Sequence, residues 1–419
     1  MVVSWGDSIM RFVKESVFLG ICVMGFLAIL SSTMSKSPVL PYLANYLGTS
    51  DFGLGIVGSA STIPGILISL PAGSLSDIFG RRKVLLVSAL IFASAPFLYL
   101  IINSWWQLAL VRFYHGFATG MFVPVSQALI AEACPSRRGE RISLFSSVTA
   151  IGRSIAPLLG GSILVITNPG LLPKQYTNFY YIYLAVGVAG ISALLAALPF
   201  LRRAKDVMPA AGQPRASANS LLRQWVGIAR ARGVLAVSFI EAGQYYTYGS
   251  VELFLVKYMT DVSNMDGALQ SIILFSLVIT VVFSKPLVGR LSDKTGRRTP
   301  IVLGCTVSLG PLVCIPFFTQ FSALLVLAIV YGVGFSMVTS ITPAFVSELV
   351  PLKLVGGAMG FMSTIMDIGQ VLGPIFCGLI LSTFMGYVGV FSSLALVLLI
   401  TAATFASVKA SKPISDGDA

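Results

Sequence analysis

The sequence predicts an all-α membrane protein, with twelve transmembrane helices in two pseudo-symmetric six-helix bundles. Three observations carry that expectation. Hydrophobic residues make up 56% of the 419-residue chain and charged ones 11%, with a mean hydropathy of +0.88, a surface that no soluble domain of this size would tolerate. Apolar runs of roughly 20 residues, the length that crosses the hydrocarbon core of a bilayer, recur along the whole chain. The stretch Gly73-Ser74-Leu75-Ser76-Asp77-Ile78-Phe79-Gly80-Arg81-Arg82 is answered 216 positions later by Gly289-Arg290-Leu291-Ser292-Asp293-Lys294-Thr295-Gly296-Arg297-Arg298.

The same offset places Gly116 on Gly332, Met121 on Met337, Ala128 on Ala344, Glu132 on Glu348 and Pro135 on Pro351. After one inserted residue it becomes 217, and Gly152, Pro157 and Gly161 fall on Gly369, Pro374 and Gly378. A shared helical period aligns scattered apolar residues, but it does not align glycines, prolines and acids together. Two homologous halves follow, of the kind that parallel repeats produce in transporters.

Taken in order, the first span begins near Val17, too long for a signal-peptide core and without a cleavage site behind it, and it is interrupted late by Pro38 and Pro41. The remaining spans cover about 52–76, 83–103, 106–133, 142–166, 179–201, 233–258, 268–289, 299–319, 322–350, 355–384 and 386–408. The domains are therefore an N-terminal bundle over 1–201, a connector over 202–232 rich in Pro, Gly, Ala, Ser and basic residues, and a C-terminal bundle over 233–419. Most of the 28 lysines and arginines fall on alternate connections, while the opposite ones keep only Lys174 and Lys257. The positive-inside rule then puts both termini in the cytoplasm of a cell whose inner or plasma membrane holds the chain.

The formal charge of +12 is spread in short clusters between apolar runs, which argues for topology and against nucleic acid. Five cysteines and the single histidine have no metal or disulfide spacing. No cofactor is expected, and no nucleophile–histidine pair or phosphate loop suggests an enzyme. The expected partners are a small-molecule substrate, protons and membrane lipid, with the protein acting as a monomer.

Ionisable side chains inside spans cost a few kcal/mol each at mid-membrane, so each demands a partner or a wet cavity. Lys36, Asp51, Arg112, His115, Arg153, Glu241, Glu252, Lys285 and Asp367 are the ones that stand out. In the seventh span Glu241, Tyr245, Tyr248 and Glu252, with Gln244 at the border, are spaced so that a helix gathers them into one stripe. Aromatic rings there grip an apolar substrate while carboxylates select charge or carry protons. Lys36 and Arg153 are further candidate substrate ligands. Lys36 plus 216 is Glu252, an ion pair able to close the outer entrance. Proton coupling is expected from Glu241, His115 or Asp367, histidine being the side chain that ordinarily switches near neutrality.

The paired G-x-x-x-D-x-x-G-R-R loops resemble the signature of the major facilitator superfamily. Gly152-Arg153-Ser154-Ile155-Ala156-Pro157-Leu158-Leu159-Gly160-Gly161 is similar to the fifth-helix signature of the 12-helix drug:proton antiporters, with Ala156 in place of a glycine. Leu110 to Gly116 is similar to their fourth-helix L-x-x-R-x-x-Q-G element, with His115 where glutamine is usual. The first-helix element of the 14-helix exporters is not matched, since Ser32 stands where its aspartate would be.

The resemblance implies proton-coupled efflux of lipophilic or amphipathic molecules by alternating access; proton-driven uptake of an organic anion or sugar, or movement of a lipid-linked substrate, is the alternative. It implies that Arg112 serves proton coupling and that the repeated inner loops form a latch from Gly73, Asp77, Gly80, Arg81, Gly289, Asp293, Gly296 and Arg297. Helix kinks are expected at Gly152, Pro157, Gly161, Gly373 and Pro374, where proline removes a backbone hydrogen bond.

Overall fold

A computed structural model describes residues 2–68, 80–134, 137–204, 231–351 and 354–408. The described chain is almost wholly helical. The first group of helices is α1 (Val2–Met34), α2 (Val39–Tyr46), α3 (Asp51–Ala60), α4 (Arg81–Leu98), α5 (Trp105–Ala133), α6 (Arg138–Thr167) and α7 (Tyr180–Ala204). The second is α8 (Arg232–Asp261), α9 (Gly267–Thr295), α10 (Arg298–Cys314), α11 (Phe321–Thr339), α12 (Thr342–Leu349), α13 (Val355–Leu381) and α14 (Gly386–Ser407).

Among the described residues, ten helical stretches are long and apolar enough to cross a membrane. Two of the twelve expected spans fall short for a plain reason. Arg81–Leu98 opens on three cations, and Arg232–Asp261 carries Glu241, Glu252, Lys257 and Asp261. Large side chains such as Leu19, Ile166, Phe283 and Leu287 are more than 60% exposed on helix exteriors, a distribution that suits lipid and not water.

The chain forms two compact units. In the first, α1 packs on α6 and α7, and α4 on α5 and α7, around Phe92, Phe122, Phe145 and Leu85. In the second, α8 packs on α13 and α14, α10 on α11 and α14, and α9 on α11, around Ile240, Ile301, Val338 and Phe361. The pattern of neighbours repeats because the glycines that permit close crossing repeat. A Cβ on Gly116 would collide with the Ser61 carbonyl, and one on Gly332 would stand 2.9 Å from that of Leu277. Both partners, like both glycines, are 216 residues apart. Without a hydrophobic driving force between helices in lipid, such close backbone approach is what holds them.

Ala44–Ser59, from the first half of the sequence, groups with the helices that follow residue 231. Gly55 meets the backbone of Pro374, and Gly378 that of Asp51. The Ser59 hydroxyl donates to the Val371 carbonyl at 2.6 Å. Lys257 stands 3.2 Å from Asp51 and 2.9 Å from Asp261, tying the start of α3 to the end of α8.

The glycines of the expected kinks are also contact points. Gly152 lies against the Phe26 carbonyl of α1, Gly373 against that of Tyr246 and Gly369 against that of Ala242 in α8. Gly161 is buried, and Pro157 and Pro374 sit inside unbroken α6 and α13.

Candidate functional site

Each unit holds a cluster of buried polar groups, and each is built on a helix that sequence reasoning had singled out. In the second unit the cluster hangs on α8. Glu241 is 3% exposed, and its Oε2 accepts a hydrogen bond from Thr342 Oγ1 at 2.5 Å. An O–H···O contact this short is among the stronger hydrogen bonds available to a secluded carboxyl group. Lys285 of α9 lies within electrostatic reach.

Thr342 is placed by a break in the tenth apolar stretch. Helix α11 stops at Thr339, Pro343 sits in the first turn of α12, and the Val338 carbonyl takes its bond from the Ile341 amide at 3.0 Å. The same Val338 oxygen is 3.2 Å from the Thr342 hydroxyl. A residue at a helix start with proline behind it is ordinary helix-initiation chemistry.

One turn along α8 from Glu241 stands an aromatic group. Tyr245 meets Phe335 edge-on at 5.3 Å, and Tyr248 stacks on it at 4.6 Å. Both tyrosines are half-buried and Phe335 is buried. Tyr331 extends the group inward, its hydroxyl 2.9 Å from Thr247 Oγ1. Glu252, two turns beyond Tyr245, is half-buried. Gln244 is fully buried and does not join the tyrosines, since its Nε2 reaches Cys305 Sγ at 3.4 Å on α10. Asp367 is half-buried on α13.

The cluster of the first unit lies on α5. Arg112 and His115 are both almost fully buried. The Arg112 guanidinium donates to Ser61 Oγ at 2.6 Å, in the turn that follows α3 and against which Gly116 packs. The His115 ring is edge-on to Phe92 and to Tyr99, and Tyr99 stacks on Tyr183 at 4.5 Å. His115 Nε2 finds no hydrogen-bond partner among the described residues. Lys36 lies half-buried in the turn between α1 and α2, and Arg153 is exposed on α6. Among the described residues no three His, Cys, Asp or Glu side chains could hold a metal ion.

The repeated loops contain a pair that sequence reasoning left unjoined. Arg81 makes a two-pronged contact with Glu132 at 2.5–2.8 Å, and Arg297 contacts Glu348 at 2.8–3.0 Å. Both pairs span 51 residues, so the signal was present: the arginines and the glutamates each obey the 216 offset. Arg297 also donates to Asp293 at 2.6 Å and Ser292 at 2.7 Å. The Glu348 hydrogen bond, with that of Asp293, raises the Arg297 pKa above its ordinary value against the opposing effect of burial.

The other loop residues serve by charge or by backbone conformation. Asp293 lies in the last turn of α9, where the free backbone groups are carbonyls, so it pairs with the guanidinium and does not cap amides. Gly289 has no described atom within 4 Å of a Cβ, so close backbone approach is not its role. Gly80 and Gly296 are required by conformation, with φ of 88° and 82°, a region that side-chain-bearing residues avoid. Gly73 and Asp77 lie outside the described residues.

The family model described as Major Facilitator Superfamily matches residues 21–305 and 237–417. The chain belongs to the Major Facilitator Superfamily. A multi-drug resistance efflux pump PmrA homolog of Lactococcus lactis subsp. lactis is 26% identical over 376 residues, covering 84% of this chain and 85% of that protein. The quinolone resistance protein NorA of Staphylococcus aureus is 22% identical over 343 residues, covering 81% and 84%. Among solved structures, a bacterial homolog of the human lysosomal transporter Spinster, inward-facing and unoccupied, aligns with a TM-score of 0.78 at 15% identity over 94% of this chain and 96% of that one. This major facilitator protein is accordingly a multi-pass membrane transporter for small molecules and not an enzyme.

Proposed function

We propose that this transporter exports lipophilic, cationic or amphipathic small molecules in exchange for protons, by alternating access between two six-helix halves, 1–201 and 233–419, with both termini cytoplasmic. The observation that carries the reading is the pairing, on one helix, of a secluded carboxylate with an aromatic shelf. Glu241 is buried with a single short hydroxyl contact, while Tyr245 and Tyr248 present half-buried rings beside Phe335. Rings of this kind hold flat apolar bodies and attract cations through their faces. A carboxylate sheltered from water gains or loses a proton at a large energetic difference, as a coupling site requires.

Arg112 and His115 are assigned to the same coupling, Arg112 as a fixed charge and His115 as the group it polarises. Glu252, Lys36 and Arg153 are assigned to substrate entry, and Asp367 to the same coupling as Glu241. Arg81–Glu132 and Arg297–Glu348, with Asp77 and Asp293, form the inner latch that opens once per cycle. The drug-pump descriptions of the PmrA homolog and NorA support export.

The test is reconstitution in liposomes with an imposed pH gradient and a panel of fluorescent cationic amphiphiles, with organic anions and sugars alongside. Uphill movement of the cations, dissipated by a protonophore, is expected. Gradient-driven movement confined to anions or sugars would overturn the reading.

A further inference from the structure

The geometry points to Thr342 as a positioning residue that converts the protonation state of Glu241 into the state of the α11–α12 break. The inference rests on Glu241 being the proton site.

A hydroxyl has one hydrogen to give. Here it faces two acceptors, Glu241 Oε2 at 2.5 Å and the Val338 carbonyl at 3.2 Å. With Glu241 ionised, the hydrogen belongs to the carboxylate, and Val338 keeps the backbone amides of Ile341 and Ser340. When Glu241 takes a proton it becomes the donor. Its O–H bonds to Thr342 Oγ1, and the Thr342 hydrogen turns to the Val338 carbonyl, four residues back and on the other side of the break. One proton is taken up, no covalent bond between heavy atoms changes, the Glu241–Thr342 contact persists with its direction reversed, and one hydrogen bond is added as a stitch between α11 and α12.

The short α12 carries that change onward. Thr342 is its first residue and Glu348 its seventh, about 9 Å apart along the axis at 1.5 Å per residue and about 120° apart around it. Thr342 faces α8, while Glu348 holds Arg297 at 2.8 Å. A rigid eight-residue rod anchored at both ends by charged contacts moves as one body, so stitching its first turn to α11 re-aims Glu348 at the latch.

The other groups around Glu241 leave Thr342 as its direct contact. Lys285 of α9 and Cys305 of α10 are within electrostatic reach. Helix α13, packed along α8, carries Asp367, and α11 and α14 carry no charged residue.

Hydrogen–deuterium exchange of the full chain in lipid nanodiscs, at two pH values bracketing transport and corrected for intrinsic exchange, reads the amides from 338 to 350. Their protection is expected to change up to about tenfold between the two pH values, the effect of adding one hydroxyl–carbonyl hydrogen bond. Glu241→Gln and Thr342→Val each abolish that dependence, and Thr342→Ser restores it. Thr342→Ala substitutes for Thr342→Val if the valine variant fails to reach the membrane. In transport, Thr342→Val shifts the pH profile and leaves KM unchanged. If Glu241→Gln abolishes the dependence and the Thr342 variants keep it, the relay is overturned and the proton site stands. If Glu241→Gln keeps it, the proton site itself is wrong.

Discussion

Replacing Glu241 by glutamine separates coupling from movement. Glutamine keeps the volume of the side chain and an oxygen for Thr342 to donate to at the position where Oε2 accepts at 2.5 Å, so α8 should hold its place against α12. What it lacks is a proton to give or take. Each pH unit across the membrane is worth about 1.4 kcal/mol per proton, a factor of ten in the concentration ratio it can sustain. In liposomes with two units imposed, one proton exchanged per monovalent cation sets a ceiling of about 100-fold accumulation. The Glu241→Gln variant should bring that ratio to about one, because the gradient no longer touches the cycle. Exchange of labelled for unlabelled substrate at equal pH should continue, since Tyr245, Tyr248 and Phe335 are untouched. The assay is the steady-state internal dye concentration with and without a protonophore. Undiminished uphill accumulation by the variant would refute the assignment, and loss of exchange as well would show that Glu241 serves binding.

Tyr248→Ala removes the ring stacked at 4.6 Å on Phe335; an aromatic contact worth about 1 kcal/mol should raise the KM of a flat cationic substrate roughly fivefold, read by initial rates. Glu132→Gln breaks the two-pronged contact to Arg81, and should lower turnover severalfold with substrate affinity, measured by fluorescence titration, little changed. Gly116→Val must displace the Ser61 backbone and should destabilise by about 1–3 kcal/mol in thermal unfolding, whereas Gly310→Ala, with no described atom within 4 Å, should be neutral or slightly stabilising. Lys257→Met leaves Asp51 and Asp261 facing each other without their shared cation and should lower the unfolding temperature.

Much of this architecture was legible in the chain. The 216 offset announced the duplicated loops, and the glycines it aligned proved to be equivalent crossing points at Gly116 and Gly332. The stripe on α8 gathered Glu241 and both tyrosines, which the structure places on one helix beside Phe335 and Thr342. Periodicity describes one helix at a time, however, and contacts between helices depend on rotation and depth. So the partner of Glu241, 101 residues away, could not be read, although Thr342-Pro343 marks a helix start. Gln244 was misplaced by the same limit: one position from Tyr245 is about 100° around the axis, enough to turn it towards Cys305. The Arg81–Glu132 and Arg297–Glu348 pairs carry a signal of a different kind, a 51-residue separation that recurs in both halves.

The placing of Ala44–Ser59 bears on how the molecule is made. This stretch leaves the ribosome early, but the carbonyl that receives the Ser59 hydroxyl belongs to Val371, 312 residues later. At 5–20 residues per second that is a wait of roughly 15–60 s, during which Gly55 and Gly58 have no α13 or α8 to rest on. Biogenesis therefore includes a late docking step.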